Sequence, residues 1–168
     1  MDSAEDRRLS THASTTEGIL YWAFRVISTP SCPSASLEPD ARGNGRTNEA
    51  EVRGDASYVI RAVDSLDPLL RHFVRATFGA DRLSEIEIII PLCREIGQTH
   101  RSMEIARLVI RDWTGEERVF AHTLGQKYGY TRQRAQDILS TMRSRLSTWN
   151  EMATRNLTQI FREKGWLE

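Results

Sequence analysis

Arg132, Gln133, Arg134, Gln136 and Asp137 crowd into six consecutive positions, with Lys127, Thr131, Arg143 and Arg145 nearby. Guanidinium, amide and carboxylate groups are the side chains that hydrogen-bond base edges in the DNA major groove, while Lys and Arg also neutralise phosphates. Between 118 and 145 six basic residues (Arg118, Lys127, Arg132, Arg134, Arg143 and Arg145) stand against one acidic residue, Asp137. The chemistry on offer is therefore the binding of double-stranded DNA, with base reading at 132–137 and phosphate contact from the surrounding cations. The alternative is a solvated basic helix hairpin that binds another protein.

Other chemistries find little to work with. His12, His72, His100 and His122 stand apart from one another, with no Ser or Cys nucleophile motif, phosphate-binding Gly loop or paired carboxylates beside them. Cys32 and Cys93 are far apart and belong to no CxxC or Cys/His cluster, so neither a zinc site nor a disulfide framework is indicated. The expectation is a protein that is not an enzyme and needs no metal or cofactor.

For the polar run to read DNA, it must sit on a helix presented by a second one. Val119, Phe120, Thr123, Leu124 and Tyr128 fall on one face of a helix that Gly129 terminates, since a short turn needs a position tolerant of positive φ. Thr131 then caps a second helix with a buried stripe of Ala135, Ile138, Leu139 and Met142. Counted from Ala121, a helix-turn-helix places apolar residues at Leu124, Tyr128, Tyr130, Ala135 and Ile138, a small residue at the crowded contact, Gly125, and a turn residue at Gly129.

The remaining sequence predicts an all-α fold. Residues 1–16 read as a disordered tail, and 17–28 as an amphipathic helix with Ile19, Leu20, Trp22, Ala23, Val26 and Ile27 at helical spacing, docking through Trp22. The stretch 29–54 carries Pro30, Pro33 and Pro39 with three glycines and reads as a loop. A helical core is expected over 55–115. There Asp55 caps a helix bearing Val59, Ala62, Val63 and Leu66, and Asp67-Pro68 starts another that Gly79 ends. Leu83, Ile86, Ile89, Ile90, Cys93 and Ile96 give a third helix its buried stripe, and a short strand over 87–91 is the alternative. Ser102 caps a fourth helix with Ile105, Leu108, Val109 and Trp113 in register, closed by Thr114-Gly115.

The helix-turn-helix spans 116–146, with Glu116 and Glu117 in its first turn, and a helical extension covers 147–168. Leu139, Met142, Leu146, Trp149, Ala153, Asn156 and Ile160 step alternately by three and four, an a/d heptad that continues the second helix. Such a stripe packs on its own domain or, alternatively, forms a homodimer seam or a polymerase-docking face with Asn156 fixing the register. Trp166 and Leu167 offer an apolar anchor at the end.

Composition narrows the partners. The 168 residues balance 23 basic against 23 acidic side chains, but net charge runs −3 over 1–57, −2 over 58–117 and +5 over 118–168. The polyanion-facing end is the C-terminal one. No stretch approaches about 18 apolar residues and no signal-peptide pattern opens the sequence, so a cytoplasmic protein without membrane contact is expected.

Gly125 to Leu146, GQKYGYTRQRAQDILSTMRSRL, resembles region 4.2 of bacterial primary sigma factors. That resemblance implies that Thr131, Arg132, Gln133, Arg134 and Asp137 lie on a recognition surface of the kind that reads the promoter −35 element. Gln133 stands where the family has Glu and Asp137 where it has Gln, which alters the bases read. The order of features along the chain is similar to phage antitermination proteins of the Q type: a tryptophan-bearing N-terminal helix, a Pro-rich loop, a helix opening at Asp55-Ala56, then a sigma-like helix-turn-helix. Residues 81–113 have no counterpart in that pattern. The resemblance implies a regulator that binds DNA at a late promoter and acts on sigma-carrying RNA polymerase. The alternative is a polymerase-binding module or anti-sigma-like inhibitor that does not read DNA.

Overall fold

The computed structural model describes Leu9 and residues 13–30, 49–94 and 96–168. Most of the expected tail, 1–16, and of the expected loop, 29–54, lies outside the described residues. Within them the fold is all-α, with seven helices and no strand: α1 Thr16–Ser28, α2 Glu49–Asp64, α3 Pro68–Gly79, α4 Arg82–Cys93, α5 His100–Thr114, α6 Ala121–Tyr128 and α7 Arg132–Glu163. The chain divides into two units, one of residues up to Asp64 together with Leu157–Glu168, the other of Ser65–Asn156.

In the first unit α1 packs on α2. Thr15 caps α1 by accepting the amide N–H of Gly18, and the buried face is Ile19, Leu20 and Ala23. Trp22, expected as the docking residue, is only half-buried, and Ile27 is exposed. The reason is geometric: α1 buries a stripe centred on 19, 20 and 23, and Trp22 flanks it. α2 begins six residues before the expected start, so 49–54 is helix rather than loop. Glu49 and Glu51 in its first turn oppose the helix dipole, and Glu49 pairs with Arg53 one turn on at 3.3 Å. Asp55, expected as its cap, is instead a buried mid-helix residue. Thr158 of α7 meets Thr16 of α1 hydroxyl to hydroxyl at 2.6 Å. Trp166 turns back on the end of α7, where its ring sits 5.5 Å from that of Phe161.

The second unit is built on three capped helices that precede the site. Asp67 caps α3 through Leu69 N–H, with Pro68 in the first turn. Asp81 caps α4 through Leu83 N–H at 3.1 Å, and its other oxygen accepts from Ser84 Oγ at 2.7 Å. α5 is capped by Thr99, not by Ser102, which is the third helical residue and closes a reciprocal capping box back onto the Thr99 amide. Phe73 lies at the centre of the unit, its ring 6.2 Å from Trp149 and 6.4 Å from Trp113.

α4 departs most from expectation. Ile88, Ile89, Leu92 and Cys93 are buried together with Ser84 and Glu85, while Leu83, Ile86 and Ile90 face solvent. The helix is apolar on two faces, so periodicity alone does not choose between them. The polar partners do: Ser84 lies between Asp81 and His72, 3.1 Å from His72 Nδ1, and Glu85 pairs with Arg82 at 3.1 Å and Arg107 at 3.8 Å. Turning α4 to bury Leu83 would break these contacts.

Along α7 the buried stripe is Leu139, Met142, Leu146, Trp149 and Ala153, then Leu157 and Phe161. Asn156 is exposed, and the heptad predicted to run through it stops at Ala153. From there the step is four and four, the drift expected of a straight helix with 3.6 residues per turn.

Candidate nucleic-acid interface

α6 and α7 form a helix, three-residue turn and helix, with Gly129, Tyr130 and Thr131 between them. Gly129 has φ +72°, a left-handed conformation strained for residues with a Cβ. Its N–H donates to Gly125 O at 2.9 Å and closes α6. Gly125 makes the close approach: a Cβ there would lie 3.0 Å from the carbonyl oxygen of Tyr130. Both glycines thus occupy the positions where the spacing requires them. Thr131 caps α7, its Oγ1 accepting the Arg134 amide at 3.2 Å.

The apolar side of the pair is only partly as expected. Val119, Leu124, Ala135, Ile138, Leu139 and Met142 are buried. Phe120 and Thr123 are not: Phe120 immediately precedes α6 with its ring stacked on His122, 5.6 Å away. Glu116 and Glu117 belong to the connection before α6, not to its first turn. That connection is instead held at Val119, whose N–H donates to Asp112 Oδ1 at 3.1 Å.

All six residues of the predicted reading surface, Thr131, Arg132, Gln133, Arg134, Gln136 and Asp137, are exposed. With successive residues about 100° apart around the helix, Gln133 and Asp137 lie opposite the buried stripe, Arg132 and Arg134 flank them on either side, and Ser140 and Ser144 continue the outward ridge. Gln133 Nε2 donates to Asp137 Oδ1 at 2.9 Å. Lys127, on α6, is exposed with its ammonium 5.1 Å from the centre of the Tyr128 ring.

Arg143 and Arg145 fall elsewhere. Arg143 donates from Nε and Nη2 to Asp112 Oδ2 at 3.1 and 2.8 Å, and from Nη2 to Val119 O at 2.8 Å. Arg145 donates to the carbonyl of Pro91 in α4 at 3.2 Å. Both guanidinium groups hold α7 to earlier segments of the unit, unlike those of Arg132 and Arg134 at its exposed start. They lie past the first turns of α7, where Arg143 faces α5 and the connection into α6 and Arg145 faces α4.

One contributing residue is not singled out by sequence. Arg101 of α5 donates to the carbonyl of Tyr128 at 3.2 Å and lies over the Tyr130 ring at 5.8 Å, fixing the turn from outside. Nothing in the sequence links it to a turn 27 residues away.

No group of His, Cys, Asp and Glu that could hold a metal occurs among the described residues, nor is any helix there long and apolar enough to cross a membrane. No protein-family model, curated protein or solved structure matches the chain.

Proposed function

We propose that this chain is a sequence-specific DNA-binding transcription regulator that reads the major groove with the first two turns of α7. The observation that carries this reading is the exposed run Thr131, Arg132, Gln133, Arg134, Gln136 and Asp137. It heads a helix whose opposite side is buried and which follows a three-residue turn tied from two directions. Helices of this kind dock with their N-terminal residues at base edges while the preceding helix crosses the backbone. In that pose Lys127, Arg132 and Arg134 are the cations offered to phosphates and guanines.

More concretely, we propose a phage-type antiterminator acting on bacterial RNA polymerase at a late promoter. Support comes from the resemblance of 125–146 to sigma region 4.2 and from the order of features along the chain. A reading head of this type does not melt a promoter by itself. The proposed target is accordingly a polymerase that already carries sigma.

Two measurements test this. Affinity for duplex DNA is expected to fall steeply with salt, because each phosphate contact releases counterions. In transcription with purified polymerase, terminator read-through is expected only when the protein and its DNA site are both present. Changed initiation without read-through leaves an activator or repressor. Salt-insensitive binding to polymerase alone replaces the proposal with an interaction module that does not read DNA.

A further inference from the structure

Asp137 is a misfit on its surface. It lies on the outward face of α7, about a turn beyond Arg134, where a carboxylate would be repelled by any phosphate brought against it. No core contact fixes it there, since it is exposed and opposite the buried stripe, and its one hydrogen bond among the described residues is to Gln133 a turn earlier on the same helix. Its hydrogen bond to Gln133 has a directional consequence. An ionised carboxylate only accepts, so the Gln133 amide must turn its nitrogen towards Asp137, leaving its oxygen and one N–H for other partners. Asp137 itself keeps Oδ2 as an acceptor. The centre of the reading surface is therefore rich in acceptors, and the cations stand at its edges.

Within the major groove the hydrogen-bond donors on base edges are the exocyclic amino groups of cytosine N4 and adenine N6, whereas guanine presents O6 and N7 and thymine O4 and a methyl group. Resting on the DNA-reading proposal above, we infer that Asp137, with Gln133 held beside it, selects an amino-bearing base, cytosine foremost, at one position of the DNA site and rejects guanine and thymine there. The mechanism is electrostatic. A guanine or thymine oxygen opposite Oδ2 leaves both acceptors unpaired and the carboxylate desolvated. Because residues four apart on a helix are separated by about 6 Å along its axis, Gln133 addresses a neighbouring base pair, where its oxygen and remaining N–H fit the N6 and N7 edge of adenine.

The test is selection from a randomised duplex library by the full chain and by Asp137→Asn and Asp137→Ala, with melting temperature measured as a folding control. The wild type is expected to enrich cytosine or adenine at one position. Asp137→Asn, which replaces an acceptor by a donor, is expected to relax the exclusion of guanine at that position by on the order of ten-fold, with other positions unchanged. Affinity for random-sequence DNA is expected to hold or rise, since a negative charge is lost. A selective wild type whose base profile is the same in both variants would overturn this inference and leave the DNA-reading proposal standing. A wild type that binds duplex DNA without any base preference, or not at all, overturns both.

Discussion

Arg143 of α7 and Asp112 of α5 form a half-buried ion pair with Nη2 2.8 Å from Oδ2, and both partners also hold Val119, Asp112 through its N–H and Arg143 through its carbonyl. Three segments meet at this one carboxylate: the end of α5, the connection into α6, and the fourth turn of α7. It ties the connection into α6 to both α5 and α7. Arg143→Ala and Asp112→Ala should each lower stability by about 1–3 kcal/mol, the usual penalty for leaving a partly buried hydrogen-bonding group unpaired. Urea unfolding checks this. If Asp112→Ala left stability intact while Arg143→Ala weakened DNA binding, the arginine would be a phosphate contact after all.

Substitutions on the proposed reading surface should separate specificity from affinity. Arg132→Ala and Gln133→Ala are expected to relax sequence preference, each at about 1–3 kcal/mol on the preferred site. Lys127→Ala should weaken all sequences alike and reduce the salt slope by about one. Binding isotherms against a preferred and a scrambled duplex, each at several salt concentrations, distinguish the two behaviours. Uniform loss in all three variants would contradict base reading by α7.

The turn glycines should be costly to replace for two different reasons. Gly129→Ala forces a Cβ into the left-handed region at φ +72° and is expected to cost about 1–2 kcal/mol, with Gly129→Asn milder. Gly125→Ala places a Cβ 3.0 Å from the backbone oxygen of Tyr130, so the turn itself has to move. Gly125→Ala is therefore expected to disturb DNA binding more than its loss of stability would suggest. Comparing denaturant midpoints with affinity for the two variants tests that ordering.

Asp81 gives the fold a dependence on acid. The hydrogen bond from Ser84 Oγ is the main cause holding its carboxyl below the usual carboxylate value, with the amides of Leu83 and Ser84 adding to it. A carboxyl depressed in the folded state contributes stability that is present above its unfolded value, about pH 4, and lost as pH falls through the lower folded value. Asp81→Asn should retain much of the cap while losing this part of the acid dependence. Stability followed from neutral pH downwards should show the two curves converging in acid. Parallel curves would remove Asp81 from the account.

Cys93 is fully buried, and burial pushes its thiol up. In a Cys32→Ser variant the remaining thiol is expected to resist a disulfide reagent at neutral pH until denaturant is added. Rapid labelling of the native protein would mean that the C-terminal end of α4 opens readily.

The helical nature of the chain and the position of the turn were legible in sequence because both are local. Period 3.6 in the apolar residues of α2 and α7, the Asp67-Pro68 start of α3 and the glycines at 125 and 129 act within a few residues of themselves. What the tertiary structure alone decided is which of several locally equivalent choices is used. α4 offers apolar residues on two faces, and the burial of Ile88 rather than Ile86 follows from polar partners at His72 and Arg107 that no short window contains. Arg143 and Arg145 look identical to Arg132 and Arg134 as sequence, yet carboxylate and carbonyl groups 31 and 54 residues away claim them. The heptad through Asn156 and the stripe through Leu157 differ by one residue, a choice made by the small mismatch between 3.5 and 3.6 residues per turn. Local propensity writes the helices, and long-range packing and hydrogen bonding choose which side of each is left exposed.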